Sequence, residues 1–561
     1  MLPLSQISTR RMHGAALLLA LLFLIMLGLT LLLGLFSTQS LALDRARKTE
    51  SALAQAKEAL LAYALTYPEQ HSKSGFVSEV PGYLPCPDLG AVGKEGEEAA
   101  SCGLSNEISL GMLPWKTLNL PPLRDGDGNC LWYAVSGSFK QNPAPDLLNW
   151  DSAGQFQILA TASGVSSIVA GKTEEERPAA VIFAPGAALP GQPRAHLGGE
   201  CGGDYDPAHF LDRIDGGIDN AAPQTAPDGS VRFTAAGPKE GFNDRLLWIT
   251  PQEIFARGIE GRSDFGLELF ASRPENIPTE SSDTWPLAQN LAFCLAEFGK
   301  QKSVKSLPWA SALPHASFKS ADFGDSPNIR AGRFPLKLSN SGTSAARTDF
   351  NLCVTRSFFS GISTKSGWWD KWKDHFFYAS AELPDSAEDT GCGSGQCLSL
   401  DENGPYVALV IFANRRLAGQ TRQSFADRNN PANYLESENA AAISITSPAD
   451  PGFGRFTRRG SNELFVCVLP DLSVDLSCGL PAPGCPGQSR RLLEQMVAGS
   501  NQCRSADKTL DPFCAVLAAQ MRAAACPCAD AADILLKPPC LTGISSDRCR
   551  TATAQLLSCT S

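Results

Sequence analysis

The feature that most constrains this chain is an uncharged apolar run near its N-terminus. Residues Ala15 to Phe36 form a stretch of 22 residues without Asp, Glu, Lys or Arg. As a helix, such a stretch spans roughly 33 Å, which is enough to cross the hydrocarbon core of a bilayer. Arg10 and Arg11 precede it and favour an orientation with the N-terminus on the cytoplasmic side. The sequence therefore predicts a membrane-spanning helix, with a secretory peptide cleaved near Ser40 as the alternative.

The same helix is expected to continue beyond the membrane. Small or apolar residues recur at alternating intervals of four and three, which places them on one face of a helix. They are Ala42, Ala46, Thr49, Leu53, Ala56, Leu60, Tyr63 and Tyr67. Pro68 predicts the end of the helix, because proline disfavours the helical conformation in the residue before it. We expect one helix of roughly 50 residues, apolar in its first half and amphipathic in its second.

The N-terminus resembles that of type IV prepilins and type II secretion pseudopilins. The features that carry the resemblance are a basic leader ending in Gly14, an apolar segment beginning at Ala15 and the amphipathic continuation. The resemblance implies cleavage between Gly14 and Ala15 by a prepilin peptidase. It also implies a single-pass anchor in a bacterial inner membrane, a periplasmic body, and other pilin-like subunits packed against the helix in a fibre.

One position departs from the family pattern. Most members carry Glu at the fifth position of the mature chain, where the carboxylate pairs with the N-terminal amine of a neighbouring subunit; this chain has Leu19 there. Without that charge pair the chain resembles the large minor subunits found at a fibre tip. The alternative is that Leu19 belongs to an ordinary membrane anchor.

The cysteines indicate an oxidising compartment. Of 18 cysteines, ten lie between Cys467 and Cys559. No Cys-x-x-Cys occurs and no two histidines are closer than 13 residues, so local zinc motifs are missing and disulfides are expected instead. The candidates outside the C-terminal cluster are Cys86, Cys102, Cys392 and Cys397.

Blocks of sequence recur in the same order about 220 residues apart, which predicts a duplication. The segment AAVIFAPGAALPGQPR (179–194) matches VALVIFANRRLAGQTR (407–422), and CLWYAVSG (130–137) matches HFFYASAE (375–382). DPAHFLD (206–212) matches NPANYLE (430–436), and FNDRLLWIT (242–250) matches SNELFVCVL (461–469). LAQNLAFCLAEF (287–298) echoes part of the first helix but is too short to cross a bilayer, so it should pack on its own sheet.

These patterns predict an α+β chain with five parts. They are a leader (1–14), a transmembrane and amphipathic helix (15–67), a first pilin-like head with an antiparallel sheet (68–275), a second such head (276–475), and a disulfide-rich helical tail (476–561).

Two motifs could bind a ligand. Asp125, Asp127 and Asn129 alternate with glycines in RDGDGN and could hold calcium, although position 12 of an EF-hand loop is Ser136 instead of Glu; the alternative is a β-turn. WWDKWKDHFF (368–377) interleaves aromatics with lysines, which could stack on nucleic acid or sugar, or form a packed loop.

We expect a structural subunit of a secretion or pilus system. The net charge of −10 disfavours nucleic acid as a partner, and no Gly-x-Ser-x-Gly, Walker or Rossmann signature points to an enzyme or a cofactor. The alternatives are a membrane-anchored periplasmic binding or adhesin module and a tethered periplasmic enzyme.

Overall fold

A computed structural model of the chain describes most of the body and parts of the tail. The described residues are 13–71, 79–162, 165–194, 200–214, 217–235, 241–262, 287–300, 307–315, 317–319, 322–335, 366–383, 392–393, 396–458, 463–475, 478, 518, 521–522, 526, 528–537, 540 and 547–558. The leader up to residue 12, the expected boundary at 275/276 and much of the tail lie outside them. We call α1 and residues 79–262 the first half, and residues 287–475 the second half.

The described strands, in chain order, are β1 Ser109–Met112, β2 Trp132–Val135, β3 Phe156–Ala162, β4 Val165–Ala170, β5 Ala180–Ala184, β6 Val231–Thr234, β7 Arg245–Ile249, β8 Ala331–Arg333, β9 Phe376–Ser380, β10 Leu398–Leu400, β11 Asn403–Tyr406, β12 Ala408–Phe412, β13 Arg455–Phe456, β14 Leu464–Val468 and β15 Val474–Asp475. The described helices are α1 His13–His71, α2 Pro251–Phe255, α3 Leu287–Lys300, α4 Ser366–Trp372, α5 Phe425–Asn429, α6 Ser437–Ser444, α7 Ala529–Leu535 and α8 Asp547–Ser558. The α+β class is therefore confirmed.

Each half is built on an antiparallel sheet of the same design. The first sheet has the order β1-β2-β5-β7, and the second has β8-β9-β12-β14 with β15 added beyond β14. Ala180 pairs with Val135 and Ile249, and its counterpart Ala408 pairs with Ser380 and Val468. The segments that match in sequence thus occupy matching strands.

A smaller sheet accompanies each main sheet and repeats the same unusual pairing. In the first half β3 pairs antiparallel with β4 and parallel with β6. In the second half β10 pairs antiparallel with β11 and parallel with β13. Mixed pairing of this kind in both halves indicates that they share a topology beyond the central strands.

Helix α1 is one continuous element of 59 residues. Its amphipathic stripe is buried from Thr49 onward, whereas Ala42 is exposed and Ala46 is half-buried. The buried stripe lies on β5 and β7. Over the part of the chain that the structure describes, no helix combines the length and the apolar character of a membrane span.

The predicted helix end at Pro68 was wrong, because α1 continues to His71. A proline inside a helix leaves the carbonyl four residues earlier without its usual N–H partner. Here the carbonyl of Ala64 instead accepts a hydrogen bond from the backbone N–H of Gly82, 2.7 Å away. The lost helical bond is replaced, so the last turn persists.

Helix α3 takes in the second half the place that α1 takes in the first. It lies on β12 and β14, as its sequence predicted. Every described side chain of α3 except Lys300 is buried, and its apolar residues belong to the same hydrophobic cluster as those of α1. The two sheets therefore share one core, with α3 inside it.

We predict that Leu60→Ala destabilises the body. Leu60 is fully buried between α1 and the first sheet, so truncation should lower the free energy of unfolding by about 2–5 kcal/mol. The measurement is urea unfolding of the full chain in detergent. Leu43→Ala, at a side chain 58% exposed on the same helix, is the control and should change it by less than about 0.5 kcal/mol. Equal effects would contradict the packing described here.

Candidate functional site in the arginine clamps and the joint between the halves

An arginine in the first half fastens two loops together. The guanidinium of Arg194 donates to the carbonyl oxygens of Gly186 (2.6 Å), His209 (3.0 Å) and Phe210 (2.9 Å), and to Oε1 of Gln192 (2.7 Å). Gly186 lies just after β5, and His209 lies in the short 3-10 helix Pro207–His209. Because one planar cation with five donors holds both segments, we call this arrangement an arginine clamp.

The second half contains the same clamp at matching positions. Arg422 donates from Nε to the carbonyl of Asn433 (2.5 Å), from Nη1 to that of Asn414 (3.0 Å) and from Nη2 to Oε1 of Gln420 (3.4 Å). The motif Gly-Gln-x-Arg, present in both matched segments, is the sequence signal for this contact. In both halves Oε1 of this glutamine accepts a hydrogen bond from the clamp arginine, which explains why the two residues recur together.

A pair of carboxylates braces the first half near its clamp. Asp244 Oδ2 accepts hydrogen bonds from the backbone N–H of Asp212 (2.8 Å) and from Nδ2 of Asn220 (3.0 Å). In return, Asp212 Oδ2 accepts from the backbone N–H groups of Asn243 (2.6 Å) and Asp244 (3.1 Å). Burial, and then the charge of Asp212, raise the pKa of Asp244 well above its ordinary value.

The second half repeats this brace with longer side chains. Glu463 accepts from the backbone N–H of Glu436 (2.5 Å) and from Nδ2 of Asn439 (3.3 Å). Asn439 also bonds both backbone groups of Thr457, as Asn220 does with Thr234 in the first half. In both halves these polar side chains mainly satisfy backbone groups, so the repeated residues hold loops in place.

The halves are joined by a loop of the first half, residues 145–152, which we call the docking loop. Lys371 Nζ donates to the carbonyl of Pro145 (2.6 Å), and Lys373 Nζ donates to that of Asp146 (2.9 Å). Asn149 Nδ2 donates to the carbonyl of Lys371 (2.9 Å). The backbone of the docking loop is thus bonded by α4 and the residues that follow it.

We call the docking loop and the residues of the second half that contact it the joint. Buried charges complete the joint. Asp151 Oδ2 lies 2.9 Å from Nη1 of Arg422 and 3.1 Å from Nε2 of His375. Nearby, Asp374 Oδ2 accepts from Arg428 Nη1 (2.7 Å) and from the hydroxyl of Tyr434 (2.6 Å). All six side chains are buried. The clamp arginine of the second half therefore binds a carboxylate of the first.

The charge state of Asp151 depends on this setting. Burial by itself opposes ionisation, but the contacts with His375 and Arg422 outweigh it and hold the pKa of Asp151 below its ordinary value. Arg428 adds to the same effect. Asp151 is therefore ionised in the folded chain, and the contacts that keep it ionised all come from the second half.

Aromatic side chains surround these charges. The ring of Trp150 lies edge-on to Trp372, with centroids 4.9 Å apart, and 5.5 Å from the ring of His375. Trp368, Trp369 and Trp372 are all buried. The aromatic motif at 368–377 is thus a packed segment of the joint, and its rings are not on the surface.

The predicted calcium residues lie together in a turn. Asp125 Oδ1 accepts from the backbone N–H groups of Asp127 (2.9 Å) and Asn129 (2.8 Å), while Oδ2 accepts from that of Gly186 (2.8 Å). Asp127 forms an ion pair with Arg45 of α1 at 3.3 Å. The described residues contain no group of three or more His, Cys, Asp or Glu side chains arranged for a metal. Backbone donors occupy both oxygens of Asp125, an arrangement typical of an Asx turn.

The four candidate cysteines form two disulfides, Cys86–Cys102 and Cys392–Cys397. Three further bridges join described partners: Cys130–Cys201, Cys467–Cys478 and Cys540–Cys549. The prediction of disulfides is confirmed, although the spacing of the cysteines did not identify their partners.

The residues of the predicted processing site and the tip marker lie in the first helix. Gly14 and Ala15 lie within α1, and Leu19 is 69% exposed.

Comparison with family models, curated proteins and solved structures returned no match to this chain.

We predict that Asp151→Asn opens the joint. Removing this charge leaves Arg422 and His375 buried without their anion, which should cost about 3–5 kcal/mol of unfolding free energy at pH 7. Because the pKa of Asp151 is lowered by folding, its contribution is present above the unfolded pKa of about 3.9 and is lost as pH falls below it. The variant should therefore lose part of the acid dependence of stability.

The measurement is urea unfolding of the full chain from pH 3 to 8, followed by tryptophan fluorescence. Asp146→Asn is the matched control, since Asp146 lies in the same loop, is exposed and uses only its carbonyl in the joint. A loss in the control as large as that in Asp151→Asn would contradict the charge network.

We predict that two changes at Asp244 differ in their effect on stability. Because folding raises the pKa of Asp244, the folded chain favours the protonated carboxyl. The free energy of unfolding that this proton contributes declines as pH rises above the unfolded pKa of about 3.9. Asp244→Asn, a neutral isostere, should stay within about 1 kcal/mol of the parent and flatten that decline. Asp244→Ala should cost about 2–4 kcal/mol, because two buried donors lose their acceptor. Thermal unfolding at pH 5 and 8 would separate the two; equal losses would contradict the brace.

Proposed function

We propose that the chain is a pseudopilin-like or minor pilin-like structural subunit that occupies the tip of a short periplasmic fibre. One observation carries the proposal: α1 has an exposed apolar segment near its N-terminus and a segment buried in the body from Thr49 onward. The helix is continuous from His13 to His71; among its described side chains, those between Leu17 and Gly28 are exposed and the buried ones begin at Thr49. The N-terminal part remains available to lipid and to neighbouring subunits.

The exposed part of α1 has the surface that such a role requires. Its described apolar side chains are 49–73% exposed between Leu17 and Leu27. Contiguous apolar surface of this size is unfavourable in water and marks a contact with lipid or protein. The uncharged run Ala15–Phe36 supports an inner-membrane location before assembly, with the N-terminus cytoplasmic.

Two features favour the tip over the body of the fibre. Leu19 cannot supply the carboxylate that pairs axially with a neighbouring amine in the family that this N-terminus resembles. The second half is fastened to the first through the docking loop and the shared core, so the subunit is a bulky two-sheet unit. A unit of this size leaves little room for identical units stacked at short intervals along one axis.

The disulfides are consistent with a periplasmic body, since such bonds persist in oxidising compartments. The alternative of an adhesin would be favoured by exposed aromatic rings on the second half. Among its described aromatic residues, Phe425 alone is exposed, and the others are buried or half-buried. Therefore we retain the structural subunit as the better-supported function.

We predict that prepilin peptidase shortens the chain to begin at Ala15. Co-expression with the peptidase should remove residues 1–14 and leave the membrane-extracted protein with its apolar run, because the cut lies directly before Ala15, where that run begins. Intact-mass spectrometry of extracted protein measures the new N-terminus.

Gly14→Leu is the variant that should stay uncut, and Gly28→Leu, a glycine within the apolar run, is the matched control that should be processed. An unprocessed parent chain would overturn the proposal in favour of a tethered periplasmic protein. A start near Ser40 would indicate a soluble secreted one.

A further inference from the structure

The base of the docking loop is tied by backbone hydrogen bonds to two other segments of the first half. The N–H of Gln141 donates to the carbonyl of Leu84 (3.1 Å), and the N–H of Cys102 donates to that of Asn142 (3.2 Å). Gln141 and Asn142 thus connect the segment at Leu84 with the segment at Cys102. The docking loop begins at Pro145, three residues after Asn142. The position of the loop therefore depends on how those two segments are held.

The Cys86–Cys102 disulfide fastens the same two segments to each other. Its two Sγ atoms lie 3.2 and 3.6 Å from the carbonyl oxygen of Asn142. Lys140, whose side chain is fully buried, donates from Nζ to the carbonyls of Cys102 (2.5 Å) and Glu107 (2.8 Å). Without the bridge, the segments regain conformational freedom relative to each other, and the base of the docking loop loses its fixed position.

The second half has tryptophan where the first half has the bridge. Tyr133 in the first half and Tyr378 in the second each donate from the hydroxyl to the carbonyl of a proline, at 3.2 and 3.0 Å. The residue after that proline is Cys86 in the first half and Trp309 in the second. At this position the bridge therefore belongs to the half that supplies the docking loop, and the half that receives the loop has no cysteine.

We propose that formation of the Cys86–Cys102 disulfide is an oxidation step that precedes and permits docking of the second half. The two thiols become one disulfide, and the disulfide of an oxidant takes up both electrons and both protons to become two thiols. With its base fixed in this way, the docking loop has less conformational entropy to lose when it meets α4. This inference goes beyond the proposed structural role and does not depend on it.

The bridge acts once, during folding. In the folded chain Cys86 and Cys102 are fully buried, so a reductant in solution cannot reach the sulfur atoms. The order of events is therefore oxidation of this pair, fixation of the loop base, and then formation of the joint.

The test is hydrogen–deuterium exchange of the full chain in detergent, followed by mass spectrometry of peptic peptides. The variant carrying both Cys86→Ser and Cys102→Ser should exchange about tenfold or more faster over residues 145–152 and over residues 366–375. A bridge that closes a loop of this length stabilises by more than one tenfold step in an equilibrium constant. Asp151→Asn, which leaves the bridge intact, should raise exchange over the same two ranges.

The matched control is the variant carrying both Cys467→Ser and Cys478→Ser. It removes a bridge of similar span, 11 residues against 16, from the second half. Exchange over residues 145–152 and 366–375 should stay within about twofold of the parent chain. Faster exchange confined to residues 84–102 in the Cys86 and Cys102 variant would indicate a local role and overturn the proposal. Equal increases in the control would do the same.

Oxidative refolding of the parent chain provides a second test that does not require the variant to fold. The reduced, unfolded chain is refolded with glutathione disulfide, and samples are divided at each time. Trapping with iodoacetamide measures the fraction with the Cys86–Cys102 bridge. Pulsed exchange measures the fraction protected over residues 145–152, where the N–H of Leu148 bonds the carbonyl of Lys371. The protected fraction should never exceed the bridged fraction, and an excess at any time would overturn the proposal.

Discussion

Close packing of a helix on an antiparallel sheet is the interaction on which both halves depend. In α1 the buried stripe includes Ala52, Ala56 and Ala64, and α3 buries Ala288, Ala292 and Ala296. Small residues at intervals of four let the helix approach the strands closely, and larger neighbours such as Leu60 and Leu291 fill the gaps. The remaining loops are arranged around these two contacts.

The halves differ where they meet. In the second sheet, Arg333 stands opposite Phe377 and packs against the rings of Phe377 and Tyr434, at 4.1 and 4.3 Å from their centroids. In the first sheet, Met112 stands opposite Trp132 at the matching register. The position that an apolar side chain occupies in the first half is thus occupied in the second by a cation packed against aromatic rings. The cation lies beside the Asp374 and Arg428 pair and belongs to the joint.

A second divergence follows from the same registers. Counting back from Trp132 and Phe377, Cys130 in the first half corresponds to His375 in the second. Cys130 is bonded to Cys201, whereas His375 contacts Asp151 of the docking loop. The first half closes this surface with its own covalent bridge, and the second closes it with a loop from the first. Corresponding surfaces of the two halves are therefore closed in two different ways.

Local patterns in the sequence determined the long helix, the strands, the duplication and the presence of disulfides, because periodicity and matched segments act over short distances. The Gln and Arg of the matched segments are the sequence signal for the clamps, but their contacts became evident only from the structure. The docking loop, the partners of each cysteine and the extension of α1 past Pro68 were decided by tertiary structure. Asp151 meets Arg422 across 271 residues, and the carbonyl freed by Pro68 is satisfied by Gly82. Such pairings depend on which surfaces the folded sheets bring together, and no local pattern records that.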